Sequence, residues 1–271
     1  MTIEPVSIDT DTQPLDGLLY LPSVVRGSVL LMHGNTMNFY FGPPRFLPRH
    51  LVTRGFACLA YNRRGHDVLS NRDSRMLEGG AYQTNAEAIA DNQLARAWLL
   101  DRGLPAPAVV GHSNGGTLAV RYAVDHPDTP ALVLLSAHRG GPDLLRRMSR
   151  HGLMAGDRFE EITSEALRLV EDGRGDDLLL VPGWWYVISA RTYVDFLTES
   201  PAILELAPRI ACPVLYLVGS EEPPDLYPAH EFARRARVGV DVVTLEGSGH
   251  YYTGHEEAVG KLVADWLDSH R

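Results

Sequence analysis

The 271-residue chain is 45% apolar and 22% charged, enough to bury the core of one large domain or of a core with an insertion. Its formal net charge of −9 and the lack of any basic run exclude an electrostatic grip on nucleic acid. No apolar run approaches the length that spans a bilayer, so no membrane partner is expected.

The opening segment, MTIEPVSIDTDTQPLDG, is acidic and polar. It has neither the basic n-region nor the apolar h-region of a secretory leader, so a cytoplasmic location is expected. Val6–Ile8 and Leu18–Leu21 flank a turn-rich patch from Asp9 to Gly17 and predict a β-hairpin. Short unbroken apolar runs follow at Ser28–Met32, Phe56–Tyr61, Pro107–Val110, Ala131–Leu135, Val214–Val218 and Val242–Leu245. Such runs fit strands buried on both faces. Between them, Asn85–Leu100 has apolar residues at helical spacing. Thr117–Val124, ended by His126-Pro127, also reads as helix, as do Pro228–Val238 and His255–Leu267. Alternating strands and helices predict an α/β fold with an open, mostly parallel sheet. Cys58 and Cys212 lie in or beside apolar runs and read as packed free thiols. No Cys-x-x-Cys or His-Glu-x-x-His spacing occurs, and neither a metal nor another cofactor is expected.

One segment breaks the rhythm. Between Arg139 and Pro208 no strong strand pattern occurs, and helical pieces lie at Asp143–His151, Thr163–Glu171 and Ala190–Thr198. The segment also holds the polar patch EDGRGDD and the aromatic run Gly183-Trp184-Trp185-Tyr186. It predicts a helical insertion over residues 139–208, capping one end of a core made of residues 1–138 and 209–271. Trp184, Trp185 and Tyr186 are candidates to line an apolar pocket, although large rings also serve to glue such a cap to its core.

The stretch Val110-Gly111-His112-Ser113-Asn114-Gly115-Gly116 sits between a predicted strand and a predicted helix. Gly-x-Ser-x-Gly arises by chance in ordinary turns, but strand before and helix after is the context of a nucleophile elbow. There the flanking glycines permit a sharp turn, the serine is held in strained geometry, and the helix aims its positive end at a developing oxyanion. Ser113 is therefore the candidate nucleophile. A serine hydroxyl needs a base to take its proton, and histidine suits that task.

Five motifs, in order, resemble the α/β-hydrolase superfamily over nearly the whole chain: LLMHGN, FACLAYNRRGHD, VGHSNGG, CPVLYLVGSEEP and EGSGHYY. The resemblance implies a central, mostly parallel sheet of about eight strands flanked by helices. It also implies a triad in the order serine, acid, histidine. His250, in the last motif, is the implied base among eleven histidines. His112 should point away from the serine, and His33 should prop the oxyanion loop. The acid is implied at the end of the seventh strand of that family, where Gly219-Ser220-Glu221-Glu222 puts Glu222 in the place of the usual Asp. Glu221 and Asp225 stand close by as alternatives, and Asp143 farther off. The implied oxyanion donors are the main-chain N–H groups of Asn35 and Asn114. The turn after Asn35 is similar to a small bacterial group with His-Gly-x-x-x-Asn-Phe-Tyr. This makes Tyr40 or Asn38 a candidate to touch substrate, unless the rings of this loop simply pack it.

Three functions compete. The first is a carboxylesterase-like serine hydrolase acting on a small, partly apolar ester through an acyl-enzyme. Serine at the elbow speaks against the dehalogenase and epoxide hydrolase relatives, which use a carboxylate there. The second is a thioesterase, lactonase, peptidase or acyltransferase with the same machinery, separable by a substrate panel. The third is a small-molecule binder with an idle triad, separable by a fluorophosphonate probe. The oligomeric state, monomer or homodimer, is left open by the sequence.

Overall fold

The unbroken apolar runs become the inner strands of one sheet because each strand buries both of its faces. The computed structural model describes residues 1–70, 76–183 and 187–270. Its first half runs β1 (Thr2–Ile8), β2 (Leu15–Leu21), β3 (Gly27–Met32), α1 (Pro43–Thr53), β4 (Phe56–Tyr61), α2 (Asn85–Asp101), β5 (Ala108–His112), α3 (Asn114–Asp125) and β6 (Leu132–Leu135). A long excursion follows: α4 (Leu144–Arg150), α5 (Phe159–Glu171), β7 (Leu178–Leu180), β8 (Val187–Ser189), α6 (Ala190–Thr198) and α7 (Ile203–Leu206). The chain then closes with β9 (Val214–Gly219), α8 (Ala229–Arg235), β10 (Val240–Leu245) and α9 (Glu256–Ser269).

Eight strands form one sheet in the order β1-β2-β4-β3-β5-β6-β9-β10. The β1–β2 hairpin is antiparallel, and β2 is antiparallel to β4. From β4 to β10 every neighbouring pair is parallel. Side chains alternate between two apolar clusters, so neither face shows a polar stripe in the sequence. In β3, Val29 and Leu31 join the cluster under α1 and α9, while Leu30 and Met32 join the one under α2, α3 and α8. The same alternation places Leu215 and Leu217 of β9 on the first face and Val214, Tyr216 and Val218 on the second.

The path β3–α1–β4 crosses one face and β4–α2–β5 returns over the other, leaving β3 and β5 side by side. Their connections leave in opposite directions. A crevice therefore opens at their carboxyl ends, the place where ligands bind in open α/β sheets.

Two elements differ from expectation. The proline-rich stretch after Asn35 contains helix α1, with Pro43 and Pro44 in its first positions and Pro48 inside it. Proline suits a helix start, where its missing N–H has no helical acceptor to lose. The stretch between β6 and β9, expected as a helical insert, is not wholly helical, since β7 and β8 pair antiparallel within it. Its helices α4, α5 and α6 lie where the spacing predicted them. Leu145, Ile162, Tyr193 and Phe196 bury into the larger cluster and fasten the insert to the sheet.

Cys58, in the middle of β4, and Cys212, just before β9, are buried free thiols. Burial pushes both thiols up, Cys212 to about 11. Among the described residues no helix is long and apolar enough to cross a membrane, and no group of three or more His, Cys, Asp or Glu side chains could hold a metal ion.

Candidate active site

At the end of β5 the chain turns abruptly into α3, and the turning residue is Ser113, at φ 55° and ψ −123°. A side-chain-bearing residue there is strained. The neighbourhood over-determines it. Ser113 N–H donates to Leu135 O at 2.9 Å, and Ser113 O accepts the N–H groups of Gly116 at 2.9 Å and Thr117 at 3.2 Å. The glycines around it are required by close approach. A Cβ on Gly115 would collide with the carbonyl oxygens of Met32 and His33, and one on Gly111 with the carbonyl of Gly115. Helix α3 can start directly against the end of β3 only because these side chains are absent.

Across the crevice, His250 Nδ1 lies 2.7 Å from Glu222 Oε1. Glu222 Oε2 accepts the Gly219 N–H at 2.8 Å and the Ser136 hydroxyl at 2.6 Å. Ser136 is itself 2.6 Å from the Tyr252 hydroxyl, which also reaches Leu217 O at 3.1 Å. The carboxylate is 4% exposed and the imidazole 11%. With both oxygens engaged, Glu222 presents one to the ring in a fixed direction. The extra methylene of Glu over Asp is thus absorbed by a second set of partners behind it.

Other histidines brace the loops. His33 donates from Nδ1 to Gly34 O at 2.7 Å, and its Nε2 accepts the Arg63 N–H at 3.1 Å. The buried Arg63 guanidinium donates to His33 O at 2.8 Å. Burial first, then the nearby Arg63 charge, holds His33 well below the usual histidine range. His112 donates from Nε2 to the His250 carbonyl at 2.8 Å, and its ring centroid lies 4.8 Å from that of His250. Burial, then His250, pushes His112 down to about 3. Both rings are therefore neutral and act as braces.

A cleft of about 530 Å³ joins these parts: Ser113, His250, Asn35 and Asn114 line it on the sheet side. Neither the Asn35 nor the Asn114 main-chain N–H has a backbone acceptor among the described residues. The insert supplies Leu144, Met148, Leu153, Met154 and Phe196 to the opposite wall. A second hollow of about 600 Å³ shares His250 and Leu153 with the first and is bordered by His151, Pro223 and Tyr227; Ser113 is not part of its wall.

With the elbow, the His–Glu pair and the crevice in place, a family model for alpha/beta hydrolases matches residues 29–265. The chain belongs to the alpha/beta hydrolase family. No curated protein matches its sequence. Among solved structures, the hydrolase is similar to Est1E from Butyrivibrio proteoclasticus with ferulic acid bound: 19% identity, 98% of each chain, TM-score 0.72. It is also similar to a thermostable carboxyl esterase from Bacillus coagulans, at 14% identity over 100% of this chain and 99% of the other, TM-score 0.75. A monoglyceride lipase from Saccharomyces cerevisiae gives 15% identity over 100% and 96%, TM-score 0.72. At these identities the likeness is one of fold.

The remaining candidate residues of this hydrolase fall in several places. Asp225 faces His151 at 2.8 Å, Glu221 is exposed, and Asp143 lies 3.7 Å from Arg147. Tyr40 is 54% exposed and donates to Asp67 at 3.2 Å, and Asn38 bonds the same carboxylate at 2.7 Å. Neither belongs to the cleft wall. Phe39 packs edge-on against Tyr40, and Phe41 against Tyr251. Trp184, Trp185 and Tyr186 lie outside the described residues. Ser136, which donates to the far oxygen of Glu222, and Tyr252, which in turn meets Ser136, escaped sequence reasoning. A hydroxyl just past a buried strand and a tyrosine two places after the motif histidine were the available signals.

Proposed function

We propose that this protein is a serine hydrolase that cleaves an ester or related acyl bond of a small, partly apolar molecule. The carrying observation is that Ser113, in its strained turn, shares one cleft with a histidine whose Nδ1 is engaged by a buried carboxylate. Glu222 fixes the tautomer with the proton on Nδ1, which leaves Nε2 of His250 as the base. Ser113 Oγ attacks the substrate carbonyl carbon and gives its proton to Nε2. The oxyanion is held by the N–H groups of Asn35 and Asn114. The tetrahedral adduct collapses, the C–O bond to the leaving group breaks, and His250 returns the proton to that group. Water, deprotonated by the same imidazole, then cleaves the acyl-enzyme and frees Ser113. The insert 139–208 acts as a cap, supporting a substrate with an apolar portion through its aliphatic and methionine wall. The chemistry draws on the protein's own groups, and its partner is the small molecule.

A fluorophosphonate probe and a p-nitrophenyl ester series test this reading. The folded wild type should be labelled on Ser113 and turn over short esters, while Ser113→Ala should lose both and leave its thermal midpoint nearly unchanged, since alanine keeps the Cβ and the same strained turn. A folded wild type that is neither labelled nor active would instead be a binder on the same fold.

A further inference from the structure

One polar side chain in the cleft wall serves no step of this reaction. His138 follows β6, is 3% exposed and lines the cleft with Ser113 and His250. Its Nδ1 accepts the main-chain N–H of Gly140 at 3.2 Å. It also lies 3.1 Å from Thr117 Oγ1, whose own proton goes to the His138 carbonyl at 2.9 Å. A neutral imidazole has one donor and one acceptor nitrogen, so an accepting Nδ1 puts the ring proton on Nε2. Burial, then the neighbouring His250, pushes this ring down to about 3, which keeps it neutral at ordinary pH. Among the described residues Nε2 has no acceptor, and it is not sealed from the cleft.

A donor fixed in direction and open to the cleft is a recognition element, because a ligand that displaces water from it must supply an oxygen in its place, whereas a methylene there leaves the N–H unpaired. Its position is set by Thr117, one helical turn past Ser113, or about 5–6 Å along α3. An acceptor there lies a few bonds from a carbonyl held at Ser113. The residues that the excursion between β6 and β9 adds to the same cleft beyond His138, among them Leu144, Met148 and Phe196, are apolar. The leaving group must meet the His250 proton, and His250 also borders the second hollow, which offers that group a place. The cleft over Ser113 is then left for the acyl chain.

We propose that His138 is a specificity-determining residue whose Nε2–H donates to an oxygen within the acyl chain, selecting acyl groups that are apolar except for one ether, keto or hydroxyl oxygen. The inference rests on the reading of Ser113 as nucleophile and goes beyond it to the substrate class.

The test uses p-nitrophenyl hexanoate and three isosteres in which oxygen replaces one chain methylene: the propoxyacetate, the 3-ethoxypropanoate and the 4-methoxybutanoate. The readout is the ratio of kcat/KM for each oxygenated ester to that for hexanoate. Intrinsic reactivity cancels when the ratio is compared between variants. For at least one position, the ratio should fall about tenfold in His138→Phe relative to wild type, the worth of one hydrogen bond. His138→Gln, which keeps an N–H on a similar reach, should recover part of it. A merely structural role would lower all esters together and leave every ratio where it was, and that result overturns the proposal. Should His138→Phe fail to fold, His138→Met gives the same comparison. A folded wild type inert toward all four esters and unlabelled on Ser113 would instead overturn the hydrolase reading, and this assignment with it.

Discussion

On the sheet side of the cleft, Ser113, His250 and Glu222 are each tied by directional contacts: the Leu135 carbonyl, the Glu222 carboxylate, and the Ser136 hydroxyl with the Gly219 N–H. On the insert side, Leu144, Met148, Leu153, Met154 and Phe196 meet the same space through packing. The first wall is over-determined and holds one geometry, as positioned chemistry requires. The second includes flexible thioethers, which adapt to shape and tolerate substitution. The contrast separates two tasks. Changes to the floor should cost rate on every substrate, and changes to the roof should redistribute preference among substrates.

The largest effect should come from Glu222→Gln. An amide in place of the carboxylate loses the charge that stabilises the imidazolium and permits the wrong tautomer, so kcat should fall by about 10³–10⁴-fold on all esters alike. Steady-state kinetics across acyl lengths would check this; a loss confined to long acyl chains would break the contrast between floor and roof. A smaller effect is expected from Met148→Ala in the roof. Its penalty in kcat/KM should grow with acyl length and reach about tenfold for the longest chain that fits, since a few buried methylene-sized groups are lost. A penalty equal for acetyl and hexanoyl esters would mean that this wall also positions the chemistry.

The gentlest test is thermodynamic. His33, His112 and His138 are all held below the ordinary histidine range by burial, the last two down to about 3. In the unfolded chain a histidine titrates near about 6.5, so between about 6.5 and about 3 the unfolded state binds more protons than the folded one. The stability associated with these rings is fully present above about 6.5 and is lost as pH falls through that window. Denaturant midpoints should be level above neutrality and decline on acidification, with a shallower decline in His138→Gln. An identical slope in that variant would show that His138 does not stay neutral on folding.

Much of this was legible in the sequence because it depends on local pattern. Runs such as SVLLM and VLYLV read as doubly buried strands, and the Gly-x-Ser-x-Gly turn announced itself between one of them and a helix. The insert helices fell within a few residues of their predicted spans because their apolar spacing is regular. Helix α1 was hidden because Pro43, Pro44 and Pro48 look like breakers in isolation. Strands β7 and β8 are three residues each, too short for a period to register. The partners of Glu222 were illegible for another reason. Ser136 lies 86 residues before the acid, and only the β6–β9 pairing brings the two together. The direction of His138 depends likewise on the Gly140 amide and on Thr117 from another element. Neither relation leaves a spacing in the chain.

The two buried thiols have a practical consequence. Cys58 is flanked in the sheet by Tyr20 and Val29, and Cys212 sits where the insert rejoins the strands. Each must be exposed before it can ionise and react. Their alkylation rates, followed separately by mass spectrometry, would clock the opening of the middle of the sheet and of the seam beneath the roof. The chain carries its own pair of timers, with no label to add.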